Sequence, residues 1–199
     1  DLIAAANHVM DHLKLPHLAL ETARQTAGHG ALPLIKLGFE QAGHDGNPKD
    51  YHEMFLDHYR SHYSKNSQLF SGVRETLQQF RDDGFDMAIC TNKPYALTIP
   101  LTDALDITQL FSVIVGGDSF EKRKPDPAVL SHIIGRMNGD GPALMVGDTS
   151  SDIIPAKKLG IPAIAVAYGY STEGAENLDA DLVIEEFREL TSLVGLPQR

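Results

Sequence analysis

MVGDTSSDI, residues 145–153, closes an apolar run on a glycine and then sets Asp148 and Asp152 four residues apart. Carboxylates gathered at the end of a buried strand are costly unless something cationic holds them. A short apolar run that ends in glycine and acid, with a helical pattern after it, reads as a strand of a parallel sheet. In such sheets the chemistry gathers beyond the carboxyl ends of the strands.

The stretches around it repeat that texture. Beyond Phe70 the runs DMAICT, FSVIVGG, ALMVGD, AIAVAYG and ADLVI alternate with helical patterns at Val73–Arg81, Tyr95–Leu105, Pro127–Met137, Ser151–Leu159 and Glu185–Val194. Apolar runs of this length between amphipathic helices predict an α/β fold, a Rossmann-like parallel sheet with helices on both faces. From Asp1 to about Asn66 every periodic segment is helical instead. Leu2, Ala6, Val9, Met10 and Leu13 share one face, and KDYHEMFLDHYRSHY sets Tyr51, Met54, Phe55, His58, Tyr59 and His62 on one stripe. The expected division is a helical unit over 1–68 and an α/β core over 69–199, joined around SKNSQLFSG. There is no internal repeat, low-complexity tract or long flexible linker.

Composition narrows the function classes. With 17 basic against 27 acidic residues the formal charge is −10, which repels nucleic-acid phosphates and anionic membranes alike. No apolar run approaches the roughly 20 residues of a membrane span, and no basic-then-apolar signal opens the chain. The single cysteine, Cys90, leaves no internal disulfide framework and fits a reducing compartment. The expectation is a cytoplasmic protein, monomer or homodimer, with a small molecule rather than nucleic acid or membrane as its partner.

The residues after each apolar run make a consistent set. Thr91, Asn92 and Lys93 follow the first, Gly116, Gly117 and Asp118 the second, and Gly147, Asp148 and Thr149 the third. Lys124 lies on the loop after the second run, where Pro125 and Pro127 stiffen its approach to the next helix. A phosphoryl group needs hydroxyl and amide donors plus a fixed cation, which Thr91, Asn92 and Lys124 supply. Mg²⁺ prefers a few carboxylates and shares its remaining positions with water and substrate phosphate, which suits Asp148 and Asp152.

Thr91 after its strand, Lys124 in KPDP and GDTSSD after a later strand resemble the second, third and fourth motifs of the haloacid dehalogenase superfamily of phosphotransferases. TNKP, KPDP, VGDTSSDIIPAKKLGIPAIAVAYGYS and DADLVIEEFREL are similar, more narrowly, to phosphoglycolate phosphatases. The resemblance implies that Thr91 binds phosphate with Asn92 beside it, and that Lys124 stabilises phosphate and nucleophile. It implies that Asp148 ligates Mg²⁺, with Asp152 supporting the site directly or through water. It makes the helical unit a mobile cap whose loop at His29 and Gly30 reaches the substrate. The implied activity is Mg²⁺-dependent hydrolysis of a small phosphorylated metabolite, most like 2-phosphoglycolate, through an aspartyl phosphate.

One departure stands out. The superfamily's first motif, Asp-x-Asp-x-Thr on a central strand, is absent from these 199 residues and is expected upstream of Asp1. The core is therefore expected to lack its first strand, and the chain by itself to be inactive. A phosphoglucomutase-type phosphotransferase shares the motifs and cap. A catalytically silent phosphate-binding module follows if the chain truly starts at Asp1. A metal-free dehalogenase is disfavoured by the paired aspartates.

Other candidates carry plainer readings. His8 and His12 stand one turn apart, but Val9 occupies the position where a metalloprotease helix needs glutamate, so they read as solvated helix histidines. His58 and His62 share a stripe with tyrosines and read as satisfied packing residues. His29 is a substrate contact or part of a helix-terminating turn. Cys90 reads as a buried strand residue, and Asp118 as a metal-site residue or a helix cap.

Overall fold

The computed structural model describes residues 1–27, 30–138 and 141–194. It divides into two compact units, Asp1–Gln68 and Leu69–Arg199. No helix among the described residues is long and apolar enough to cross a membrane.

The first unit is helical. It comprises α1 (Leu2–His12), α2 (Leu20–Ala27), α3 (Ala31–Ala42) and α4 (His52–His62), the last entered through a 3-10 turn at Pro48–Tyr51. Ala5, Ala6, Val9 and Met10 of α1 are buried with Leu34, Ile35 and Phe39 of α3 and Phe55 and Tyr59 of α4. The apolar stripes read from the sequence thus face one another, and their burial stabilises the unit. Gly30 lies at the start of α3 with φ of 96°. The candidate contact His29 falls outside the described residues.

His8 and His12 are exposed, as the plainer reading expected. His58 departs from it. His8 stacks on His58 with ring centroids 4.5 Å apart, and His58 stacks on His62 at 4.4 Å. His62 Nδ1 donates to the His58 carbonyl oxygen at 2.9 Å, whereas His58 Nδ1 is buried with no hydrogen-bond partner among the described residues. Burial, then His8, His62 and Lys65, push the His58 pKa below 6.5. The unfolded chain therefore binds this proton more readily, so the contribution is intact above the unfolded pKa and lost as pH falls through the folded one. The urea midpoint of the protein is expected to fall between about pH 7 and pH 5, and to fall less in His58→Gln. An identical fall in both would rule out the histidine stack as the cause.

The second unit alternates helices and strands: α5 (Val73–Asp82), β1 (Ala88–Cys90), α6 (Tyr95–Ala104), β2 (Val113–Val115), α7 (Ala128–Ile134), β3 (Met145–Gly147), α8 (Ser150–Lys158), β4 (Ala163–Val166), β5 (Leu182–Ile184) and α9 (Leu190–Leu193). Every pairing is parallel: β1 with β2, β3 with β4, and β4 with β5. Along β4, Ala163 and Ala165 pack with Val115, Val129, Ile133 and Ile153 on one face, while Ile164 and Val166 pack with Phe80, Ile184 and Leu190 on the other. That alternation is the period of two of a strand buried on both faces.

Two features differ from the sequence reading. The pattern at Glu185–Val194 predicts one helix, but Glu189 Oε1 accepts from the Glu185 and Glu186 amides at 2.9 and 2.7 Å, capping a 3-10 turn at Phe187–Glu189. The α-helix is thereby delayed to Leu190. The sheet, moreover, comes in two pieces, β1–β2 and β3–β4–β5. Both pieces feed the same cores: Cys90 and Met145 pack on one cluster, Met87 and Val146 on the other. Yet β1 and β3 each keep one edge without a strand partner among the described residues.

Candidate functional site

The carboxyl ends of β1 and β3 meet at one ammonium group. Lys124 is only 8% exposed; its Nζ donates to the Cys90 carbonyl oxygen at 2.6 Å and to Asp152 Oδ1. Cys90 is the last residue of β1, and Asp152 sits in the first turn of α8, directly after β3. The other Asp152 oxygen accepts from the Asp148 amide at 3.2 Å, the Thr149 amide at 3.1 Å and the Thr149 hydroxyl at 2.8 Å. Thr149 and Asp152 thereby form a reciprocal capping box that fixes the start of α8. A buried ion pair persists only when its remaining donors and acceptors are satisfied, and here both oxygens of the carboxylate have hydrogen-bond partners. Among the described residues Lys124 uses two of its three donors.

Thr91 and Asn92 stand beside this lysine. The Thr91 amide donates to the Val115 carbonyl oxygen at 3.0 Å, and its hydroxyl oxygen accepts from the Lys93 amide at 3.1 Å. Its O–H therefore remains a donor. Asn92 Nδ2 donates to the Lys124 carbonyl oxygen at 3.1 Å, tying the two loops together, while its buried Oδ1 has no partner among the described residues. The Lys124–Pro125 peptide bond is cis.

Asp148 is placed differently from Asp152. Its Oδ2 accepts from the Tyr170 amide at 2.8 Å, and no hydrogen bond reaches Oδ1 among the described residues. The carboxylates depend on two close approaches. A Cβ on Gly147 would lie 2.3 Å from Asp152 Cβ, and one on Gly169 would lie 2.1 Å from Asp148 Cβ. Burial, then the Asp148 charge, push the Tyr168 hydroxyl up to about 12.

The sequence reading gave Asp148 to the metal and had Asp152 support it directly or through water, and the two carboxylates have different surroundings. Asp152 Oδ1 meets Lys124 and its Oδ2 accepts from its own turn, whereas Asp148 has one oxygen that no hydrogen bond reaches among the described residues. No three His, Cys, Asp or Glu among the described residues are arranged to hold a metal. One carboxylate still fits Mg²⁺, a hard ion that takes one or two carboxylates and fills its shell with water and phosphate oxygens.

Asp118 has the capping role of its two readings, since its Oδ1 accepts from the Tyr95 amide at 2.7 Å at the start of α6. Cys90 is partly buried against the core, and burial pushes its thiol pKa up, away from reactivity. Two residues were given no role by the sequence reading. Burial lowers the Lys93 pKa to about 8, and the position of Lys93 just past a strand end was the available signal. Tyr170 acts through its backbone N–H, which has no signature in sequence.

A family model for haloacid dehalogenase-like hydrolases matches residues 1–166, and the chain belongs to that family. It is 36% identical over 199 residues to a phosphoglycolate phosphatase of Mesorhizobium japonicum, covering 96% of this chain and 86% of that one. It is 33% identical over 195 residues to a phosphoglycolate phosphatase of Agrobacterium fabrum, covering 96% and 84%. Among solved structures, a predicted phosphoglycolate phosphatase of Haemophilus somnus superposes with a TM-score of 0.89 at 27% identity, over 98% of this chain and 91% of that one.

Proposed function

We propose that this protein is a Mg²⁺-dependent phosphatase of small phosphomonoesters, acting on 2-phosphoglycolate. The observation that carries the reading is Lys124, held almost fully buried between the end of β1 and the start of α8 with one donor left. A desolvated, fixed cation is worth most where phosphoryl charge develops, because the low local dielectric does not screen it. Lys124 would bind a phosphoryl oxygen with that donor, and the Thr91 O–H a second one. Asn92 holds the Lys124 loop in place through its amide. Mg²⁺, when bound, supplies charge neutralisation on the phosphoryl oxygens, and Asp148 Oδ1 is the atom that would hold it.

The nucleophile in this reading is an aspartate on a further strand between β1 and β3. Their open edges and shared cores support it, since a parallel strand there would pair both edges and present its carboxyl end to Lys124. The relatives' names support the substrate. Expressed from its full native reading frame, the protein is expected to release phosphate from 2-phosphoglycolate with Mg²⁺, and Asp148→Ala to lower turnover by about a thousandfold. Unchanged turnover in that variant sinks the metal assignment. Isomerisation of a sugar phosphate would make the protein a mutase, and phosphate binding without turnover would make it a silent module.

A further inference from the structure

The Asp148 carboxylate has one anchoring contact, and that contact leads away from the strand ends. Tyr170, whose amide donates to Asp148 Oδ2, is 49% exposed and follows Gly169, the residue pressed against Asp148 Cβ. Tyr168, on the other side of that glycine, packs against the cluster of Phe80, Ile164, Val166, Ile184 and Leu190. Over both tyrosines lies Phe70, with ring centroids 4.7 Å from Tyr168 and 6.5 Å from Tyr170. Phe70 is 46% exposed, and it belongs to the short segment by which the chain enters the second unit. A half-exposed aromatic contributes little to the core. Its ring pairs instead restrict the turn that carries both the amide and the glycine.

We propose that Phe70, by seating the Tyr168–Gly169–Tyr170 turn, sets the position of the Asp148 carboxylate and so acts as a positioning residue for a divalent cation at Oδ1. The inference rests on the reading of Asp148 as the metal-facing carboxylate. Gly169 lets the turn close on Asp148 and the Tyr170 N–H orients Oδ2, while no hydrogen bond reaches Oδ1 among the described residues. Displacing the segment that carries Phe70 frees the turn and lets the carboxylate rotate away.

The test compares the chain with Phe70→Ala, Phe70→Tyr and Asp148→Asn. Two quantities are measured: hydrogen exchange at the Tyr170 amide without metal, and Mg²⁺ affinity by competition with Tb³⁺, whose emission the tyrosines sensitise because the chain has no tryptophan. Phe70→Ala is expected to keep its melting temperature, speed Tyr170 exchange and weaken Mg²⁺, each on the order of tenfold, the scale of losing a hydrogen bond to a charged group. Phe70→Tyr is expected to restore both. Exchange and affinity unchanged in a folded Phe70→Ala would overturn the proposal. Faster exchange in Phe70→Ala, with equal Tb³⁺ binding by the native chain and Asp148→Asn, overturns the metal reading and leaves Phe70 as the residue that positions Asp148.

Discussion

Replacing Lys124 with methionine is expected to destabilise the protein by about 3–5 kcal/mol in urea unfolding, more than a comparable apolar truncation. Methionine has similar length and fills the same space, so lost packing is a minor part. The cost comes from what is left behind. Asp152 is 5% exposed, and without Lys124 its Oδ1 becomes a buried charge with no partner. The Cys90 carbonyl oxygen, which accepts from the same ammonium group at 2.6 Å, is orphaned as well. Adding Asp152→Asn to Lys124→Met removes the uncompensated charge and should recover a large part of the loss. On the proposed function, affinity for inorganic phosphate should stay abolished in the double variant, because the Lys124 ammonium group is gone in both. A single variant within about 1 kcal/mol of native, the worth of an exposed pair, would show that Asp152 is solvated rather than held by the lysine.

The second large effect is expected from one methyl group. In Gly147→Ala the new Cβ would stand 2.3 Å from Asp152 Cβ and 2.4 Å from Cγ. Asp152 cannot retreat, since its carboxylate caps α8 and holds Lys124. Either β3 shifts or the ion pair opens, and overpacking of this kind costs about 3 kcal/mol. Thermal unfolding followed by circular dichroism measures it. A melting temperature within a degree or two of native would mean that the strand and helix yield more easily than their contacts indicate.

These variants also show where sequence was informative. The five strands stand where apolar runs were bounded by glycine or acid, and β4, buried at all four positions, shows the reason most directly: a strand buried on both faces has little freedom in composition. The positions of Lys124 on its loop and of Thr91 just past a strand end were legible, and the structure brings Lys124 to the end of β1, where Thr91 follows. Asp152 carries two signals: D-x-x-x-D reads as a metal-site pair, and T-S-S-D over Thr149–Asp152 is also a capping box, which the folded chain forms while Asp152 Oδ1 meets Lys124. The shortened last helix has the same origin in Glu186 and Glu189. The Tyr170 contact was invisible, because a main-chain donor leaves no mark on residue choice.

The edges that β1 and β3 leave without a strand partner among the described residues carry a consequence for assembly. Unpaired parallel edges invite any extended segment to join them, and proteins blunt that hazard by keeping edges short. Strands β1 and β3 are three residues each, so a passing segment gains only a few ladder bonds from either. A segment that persists between them must also bury side chains on both sides of the layer, beside Cys90 and Met145 on one and Met87 and Val146 on the other. Selectivity for the occupant thus lies in the two apolar faces, while the backbone ladder supplies only direction and register.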